Sequence, residues 1–374
     1  MERKTAFLEN YVSFIQLIFI QLELVSIVKK IKLAILVDKP MFLRTFEKED
    51  LDYLRTFADI VNEESIPETV DKEYMKKWLK SAEAAFSCWE TPGFSKEILD
   101  CAPGLKVILH AAGTAKAIVT DEIWRRNIRV ATAAPVIAID VAETALGGII
   151  YWLKQFRRFD DIIRRDQWDT KYKVGGESVV NNVKPMMKRL NSRLTVGIVG
   201  ASFVGKNLIR FLKPFGVNIL LYDPYVNAEK AETLGIKLSS LEGIAEQSDV
   251  VSIHAPSIPE TNNMINRNFF ARMRDGSLFV NTSRGSVVNE KDLIDELRRN
   301  RIYAYLDVFE KEPLPSESPL SKLENVLLTP HISGGHTTNG GFERGRYIIN
   351  QLYSYFSLGS LTDEVAEEMM ERMA

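Results

Sequence analysis

Only two cysteines, Cys88 and Cys101, occur in 374 residues, and they form no CxxC pair. That scarcity excludes a disulfide framework and a cysteine-rich zinc site, and it predicts two thiols in a reducing cytoplasm. Net charge is also nearly absent, since 48 Lys and Arg stand against 50 Asp and Glu. So even a balance lacks the basic footprint of a nucleic-acid binder and the acidic run of a solvated tail. With 21 Gly, 14 Pro and 45% hydrophobic residues, the composition is globular rather than disordered. A clean membrane span is missing too. Residues 7 to 28 are apolar, but Glu9, Asn10, Gln16, Gln21 and Glu23 interrupt them, whereas a span needs about 20 mostly apolar residues. Leu8, Val12, Ile15, Phe19 and Leu22 recur at helical spacing, which predicts an amphipathic helix docked on the body. No repeat of solenoid length occurs, and the length predicts about two domains.

What is present is an alternation of short apolar runs with helical patterns. Residues 31–37, 106–112 and 128–134 read as strands, and 70–80 and 120–127 as helices. A longer helical pattern runs from about Val136 to Arg158, and a polar stretch with Gly175, Gly176, Asn181 and Asn182 reads as a surface connection. From Leu194 the order strand, helix, strand repeats, with strands expected at 195–199, 217–222, 249–253, 277–281, 302–306 and 325–328. Their apolar runs are nearly continuous, as strands covered by helices on both faces require. The fold class is therefore α/β and doubly wound. A helical segment at 343–358 closes the chain.

The most informative turn is Gly200-Ala201-Ser202-Phe203-Val204-Gly205, which follows an apolar strand and opens an amphipathic helix. It matches the dinucleotide pattern G-x-G-x-x-G except at its centre. The first glycine permits the tight turn and the third allows close packing of helix on strand. The second normally admits the diphosphate to the backbone, and here Ser202 stands in its place. Asp223 ends the next strand, where a carboxylate accepts the ribose hydroxyls and repels a 2′-phosphate. That favours NAD over NADP. A hydrolase elbow, G-x-S-x-G, is disfavoured because Val204 stands where its second glycine belongs.

Further motifs end the later strands: Val280-Asn281-Thr282-Ser283-Arg284-Gly285, then Leu306-Asp307 through Glu312-Pro313, then Thr329-Pro330-His331. With Asp249 to Pro256 and Pro259-Glu260-Thr261, they appear in the order that the D-isomer-specific 2-hydroxyacid dehydrogenases show. The chain resembles that family from about Lys106 to Gly335. The resemblance implies two Rossmann-like domains with a cleft between them. The NAD-binding domain, 135–332, is inserted into a substrate domain made of 31–134 and the return segment 333–374, with 1–30 as an extension.

By the same resemblance, Arg284 grips the substrate carboxylate and polarises its keto oxygen, as a permanently charged planar fork can. His331 is similar to the family's proton carrier, and Glu312 to the carboxylate that orients it and stabilises its imidazolium. Asp307 matches a position at the nicotinamide end of the cofactor. Gly200, Ser202, Phe203, Val204, Gly205, Asp223, Ala255, Thr282 and Ser283, with Arg284 and His331, complete the expected cofactor contacts. Ala112 and Gly113 resemble the loop whose amides receive the substrate carboxylate, and Thr114 a cofactor-contacting threonine. The loop then departs from the family at Ala115-Lys116-Ala117. No arginine stands where a phosphoglycerate enzyme has one, which disfavours a phosphorylated substrate and leaves Lys116 as the residue there that could supply charge. Val141-Ala142-Glu143 resembles a helix found at the dimer interface of relatives, which implies a homodimer. The expected activity is NAD-linked interconversion of a small D-2-hydroxy acid and its 2-keto acid. A non-catalytic, dinucleotide-sensing regulator on the same scaffold is the alternative. No metal, nucleic acid or membrane is expected as a partner.

Overall fold

The computed structural model describes residues 30–165, 187–371 and 373. The amphipathic segment expected at 7–28 and most of the polar connection around Gly175 lie outside the described residues. Contacts group the chain into two units. Of the described residues, one comprises 30–111, 117–132 and 342–364; the other comprises 112–116, 133–165, 187–341, 365–371 and 373.

The first unit holds a parallel sheet of β1 (Ile31–Leu36), β2 (Ala58–Ile60), β3 (Ala84–Ser87), β4 (Val107–His110) and β5 (Arg129–Thr132), in the order β2-β1-β3-β4-β5. β3 and β4 are buried at every position, which fits strands covered on both faces. Asp38 and Asp71 cap the helices Lys39–Thr45 and Lys72–Leu79 by accepting the N–H of Met41 and Tyr74 at 2.9 and 2.7 Å. The helix Thr338–Leu358 contributes Arg344 to this unit. Its guanidinium is fully buried, lies 4.7 Å from the Trp89 ring centroid and donates to Thr45 Oγ1 at 3.2 Å. Gly345 follows because a Cβ there would lie 1.8 Å from the Thr45 carbonyl oxygen.

The second unit holds seven parallel strands: β6 (Thr195–Val199), β7 (Asn218–Tyr222), β8 (Lys237–Leu238), β9 (Val250–Ile253), β10 (Leu278–Asn281), β11 (Tyr303–Leu306) and β12 (Val326–Leu328). Their order is β12-β11-β10-β9-β6-β7-β8. Alternate residues point to opposite faces, and both faces are buried. Val251, Ile253, Phe279 and Leu306 enter one core cluster, while Val250, Leu278, Val280 and Tyr305 enter the other. This is the doubly wound architecture expected from the near-continuous apolar runs.

Two helices cover the second face. In α1 (Ala134–Leu153), the buried stripe Ala138, Ala142, Ala145, Ile149 and Trp152 follows helical spacing. It meets Leu208, Ile209 and Leu212 of α2 (Phe203–Leu212) in one cluster. α1 is long and apolar enough to cross a membrane by length and composition, and 39% of its apolar window is buried against the rest of the protein. The pattern expected as one helix to Arg158 breaks sooner. Gln155 takes a left-handed φ of 56°, and a separate helix, Phe156–Arg164, begins.

Gly148 of α1 faces Tyr305 of β11, where a Cβ would lie 2.2 Å from the ring. Helix propensity alone predicts that Gly148→Ala stabilises the protein by about 1 kcal/mol. Packing predicts the opposite, a loss of about 1–3 kcal/mol from overpacking. The account expects the urea midpoint of this unit to fall; a rise would show that α1 does not press on β11 in this way.

Candidate active site

The register of the second sheet decides which residues meet. Ile253, Asn281, Leu306 and Leu328 are aligned across β9, β10, β11 and β12, so the segments that follow leave the sheet at one edge. The strand order reverses between β6 and β9. Ligands of open α/β sheets bind at such a switch point, beyond the carboxyl ends of the strands.

At that point lies the glycine turn. Gly200 has φ of +97°, and a Cβ there would come within 2.8 Å of the His254 carbonyl. A Cβ on Gly205 would lie 2.1 Å from Gly200 O. Both glycines are therefore demanded by the packing of the turn between β9 and α2. Ala255 forms the floor beside Gly200 and is buried. His254 is also buried, with Nε2 2.8 Å from Ser252 Oγ, and burial pushes its pKa down to about 3. It is a neutral wall behind the turn rather than a proton carrier.

Asp223 follows β7. One carboxylate oxygen accepts the Ala201 N–H at 2.7 Å and the other accepts the Tyr225 N–H at 2.8 Å. A carboxylate oxygen has two lone pairs, so each oxygen retains one for a ribose hydroxyl. Phe203 is well exposed at the start of α2, and Val204 is half-buried. These features fit a bound dinucleotide: a turn open to a diphosphate, a helix N-terminus above it and a ribose-facing carboxylate.

After β10 the chain is organised by Asn281, which the sequence reading quoted but gave no role. Its Oδ1 accepts the Ser283 N–H and hydroxyl at 3.1 and 2.9 Å, and its Nδ2 donates to Arg284 O at 3.0 Å. The hydroxyl of Thr282 is buried and has no partner among the described residues. Gly285 presses on the next segment, since a Cβ there would lie 1.8 Å from Phe309 O. That close approach brings Arg284 beside the Glu312 loop. Burial lowers the Arg284 pKa, and the Glu312 charge opposes that shift. The guanidinium stays charged, because its ordinary value is so high.

Glu312 binds in two directions. Oε1 accepts the Phe309 N–H at 3.0 Å, and Oε2 lies 2.7 Å from His331 Nδ1. A carboxylate only accepts, so Nδ1 carries the proton between them, and Nε2 is left to exchange protons with a ligand. His331 itself is exposed and has a left-handed φ of 52°. Beside the pair opens a cavity of about 520 Å³, walled by Phe309, Leu314, Leu328 and Pro330.

Asp307 has a placement that sequence reasoning did not foresee. It is fully buried, and its carboxylate accepts Thr329 Oγ1 at 2.5 Å, Ile332 N–H at 3.0 Å and Ser333 N–H at 2.9 Å. Those bonds spend it on the loop that carries His331. Asp140 of α1 was also missed. It accepts the Gly335 N–H at 3.3 Å and the Thr337 hydroxyl at 2.9 Å, which fixes the far end of the same loop.

The loop 112–116 belongs to this unit as well. Ala112 O accepts the Ala133 N–H at 3.1 Å, and a Cβ on Gly113 would sit 3.9 Å from Ile137 of α1. Gly334, three residues after His331, presses on the same Ile137. The Thr114 hydroxyl turns back onto its own loop and accepts the Lys116 N–H at 3.3 Å. His110 pairs with Ser87 inside the other unit.

The model of the D-isomer specific 2-hydroxyacid dehydrogenase NAD-binding domain matches residues 146–333. The chain is 32% identical to a glyoxylate reductase of Thermofilum pendens, over 78% of this chain and 83% of that protein. It is also 32% identical to a D-3-phosphoglycerate dehydrogenase of Archaeoglobus fulgidus, over 63% of this chain but only 43% of that protein. It thus spans under half the length of the phosphoglycerate dehydrogenases it matches. A solved protein from Pyrococcus horikoshii OT3 aligns with a TM-score of 0.71 at 25% identity, covering 92% of this chain and 97% of that one. Apo D-mandelate dehydrogenase of Rhodotorula graminis shares the fold, with a TM-score of 0.74 at 22% identity over 91% of this chain and 98% of its own. With a family model across half its length and a relative matched over 83% of that relative's length, this chain belongs to the D-isomer specific 2-hydroxyacid dehydrogenase family.

Proposed function

We propose that this protein interconverts a small D-2-hydroxy acid and its 2-keto acid with NAD as the redox partner. The observation that carries the reading is the Glu312–His331 pair, closed at 2.7 Å, with Arg284 held beside it by the approach of Gly285 to Phe309. The glycine turn and Asp223 would hold NADH, which would supply the hydride for the keto carbon when bound. Everything else falls to the chain. Arg284 holds the substrate carboxylate and draws electron density toward the keto oxygen. His331 delivers the Nε2 proton to that oxygen in reduction and recovers it in oxidation. Glu312 keeps the ring oriented through Nδ1 and stabilises its positive form. The backbone at Ala112 and Gly113 receives the carboxylate, while Thr282 and Ser283 support the cofactor side.

The buried Asp307 carboxylate favours a positioning role, because all its bonds go to the His331 loop. The same reading includes a homodimer, with the Val141-Ala142-Glu143 stretch as its candidate surface. It also includes a cytoplasmic location, supported by the free thiols Cys88 and Cys101.

Two measurements test this. Glyoxylate, hydroxypyruvate, pyruvate and longer 2-keto acids are offered with NADH and with NADPH. At least one should be reduced faster with NADH, and silence across the panel would instead support a dinucleotide-sensing regulator. In His331→Ala, kcat for the best substrate should fall about 10²–10⁴-fold. A loss of less than tenfold would remove His331 from proton transfer.

A further inference from the structure

The centre of the glycine turn departs from the family pattern, and its geometry shows what the departure offers. Gly200 and Gly205 are fixed by the protein's own packing, through the contacts to His254 and to Gly200 O. Ser202 is not under that constraint. Its φ of −60° and ψ of 179° are extended values open to any residue. Nothing in the chain's own conformation requires glycine there, so the turn itself tolerates a side chain at 202.

The Ser202 hydroxyl faces the first turn of α2 and accepts the Gly205 N–H at 3.4 Å. A hydroxyl has one proton and two lone pairs. That contact uses a lone pair and leaves the proton to be donated, and no acceptor among the described residues takes it. Ser202 is exposed, so the proton is presented to whatever lies over the turn.

The charge around it calls for an anion. α2 has no acidic residue in its first turn, so nothing on the helix neutralises the partial positive charge of its N-terminus. Lys206 adds a full positive charge there. Its ammonium lies 5.8 Å from the Phe203 ring centroid, which keeps it beside the turn. The nearby carboxylate, Asp223, is tied to Ala201 and Tyr225. Positive helix end and ribose-facing carboxylate are thus separate halves of one site.

We propose that Ser202 is a diphosphate ligand. Its hydroxyl proton is donated to a non-bridging oxygen of the cofactor diphosphate while its lone pair stays on the Gly205 N–H. A side-chain O–H thereby replaces the close backbone approach that glycine gives relatives at this position. The inference rests on the reading of this turn as the cofactor site.

The test is calorimetric titration of the full chain with ADP-ribose, which carries the diphosphate without the nicotinamide, so that turnover plays no part. Ser202→Ala and Ser202→Gly both remove the hydroxyl, and each should weaken binding about tenfold, as expected for a lost hydrogen bond to a charged group. Ser202→Thr keeps the hydroxyl and should stay within about threefold of wild type, the value that separates it from such a loss. Thermal melting checks that each variant is folded, and glycine is itself an acceptable cap if alanine is not tolerated. Unchanged affinity in the alanine variant, tighter binding in the glycine variant, or a threonine variant as weak as alanine would each overturn the proposal. Failure of the wild-type chain to bind ADP-ribose would overturn the cofactor reading itself, and the proposal with it.

Discussion

One buried carboxylate holds the chemistry in place. Asp307 gathers a threonine hydroxyl and two backbone N–H groups from the loop after β12. Between those bonds lies His331, whose left-handed backbone a non-glycine residue adopts only where its surroundings impose it. The His331 N–H donates to Asp307 O at 2.8 Å, so one residue restrains the loop through both its backbone and its side chain. Without the carboxylate, the buried N–H of Ser333 would lose its acceptor, and a buried donor left unpaired is costly. The exposed imidazole is therefore set by an interaction beneath it.

The same economy governs the other parts of the site. Parallel pairing aligns the ends of four strands, and the side chains that follow need only short reach to meet. Glycines then bring neighbouring backbones closer than any Cβ allows, at Gly200 on His254, Gly205 on Gly200 and Gly285 on Phe309. Each contact joins two segments that carry functional groups. The rigid sheet supplies position, and the loops supply chemistry.

Much of this was legible in the sequence. Six of the seven strands between 195 and 328 stand where their apolar runs predict, because strands buried on both faces admit few polar residues, whereas β8, two exposed residues at the sheet edge, was not expected. Arg284, Glu312 and His331 were legible as motif members, and Glu312 and His331 do meet. Short strands such as β2 and β3 were not, since three or four residues carry too little periodicity to separate strand from loop. The break at Gln155 was also hidden, because a left-handed cap depends on what the turn packs against. Asp307 and Asn281 were visible as letters, but their work depends on hydrogen bonds to residues that no spacing rule connects. Arg344 gave no signal at all: a charged residue on a helix reads as exposed until its partners, Trp89 and Thr45, come from far along the chain.

The central claim is that Arg284 and His331 act on one oxygen of one bound acid. It is tested most directly by a crystal structure of the protein with NADH and oxamate, an unreactive stand-in for a 2-keto acid. The account predicts the Arg284 guanidinium and His331 Nε2 both within about 3 Å of the oxamate amide oxygen, the reach that proton transfer requires, with Nδ1 still on Glu312. Oxamate bound with that oxygen beyond hydrogen-bonding distance of His331, or held without Arg284, would contradict it.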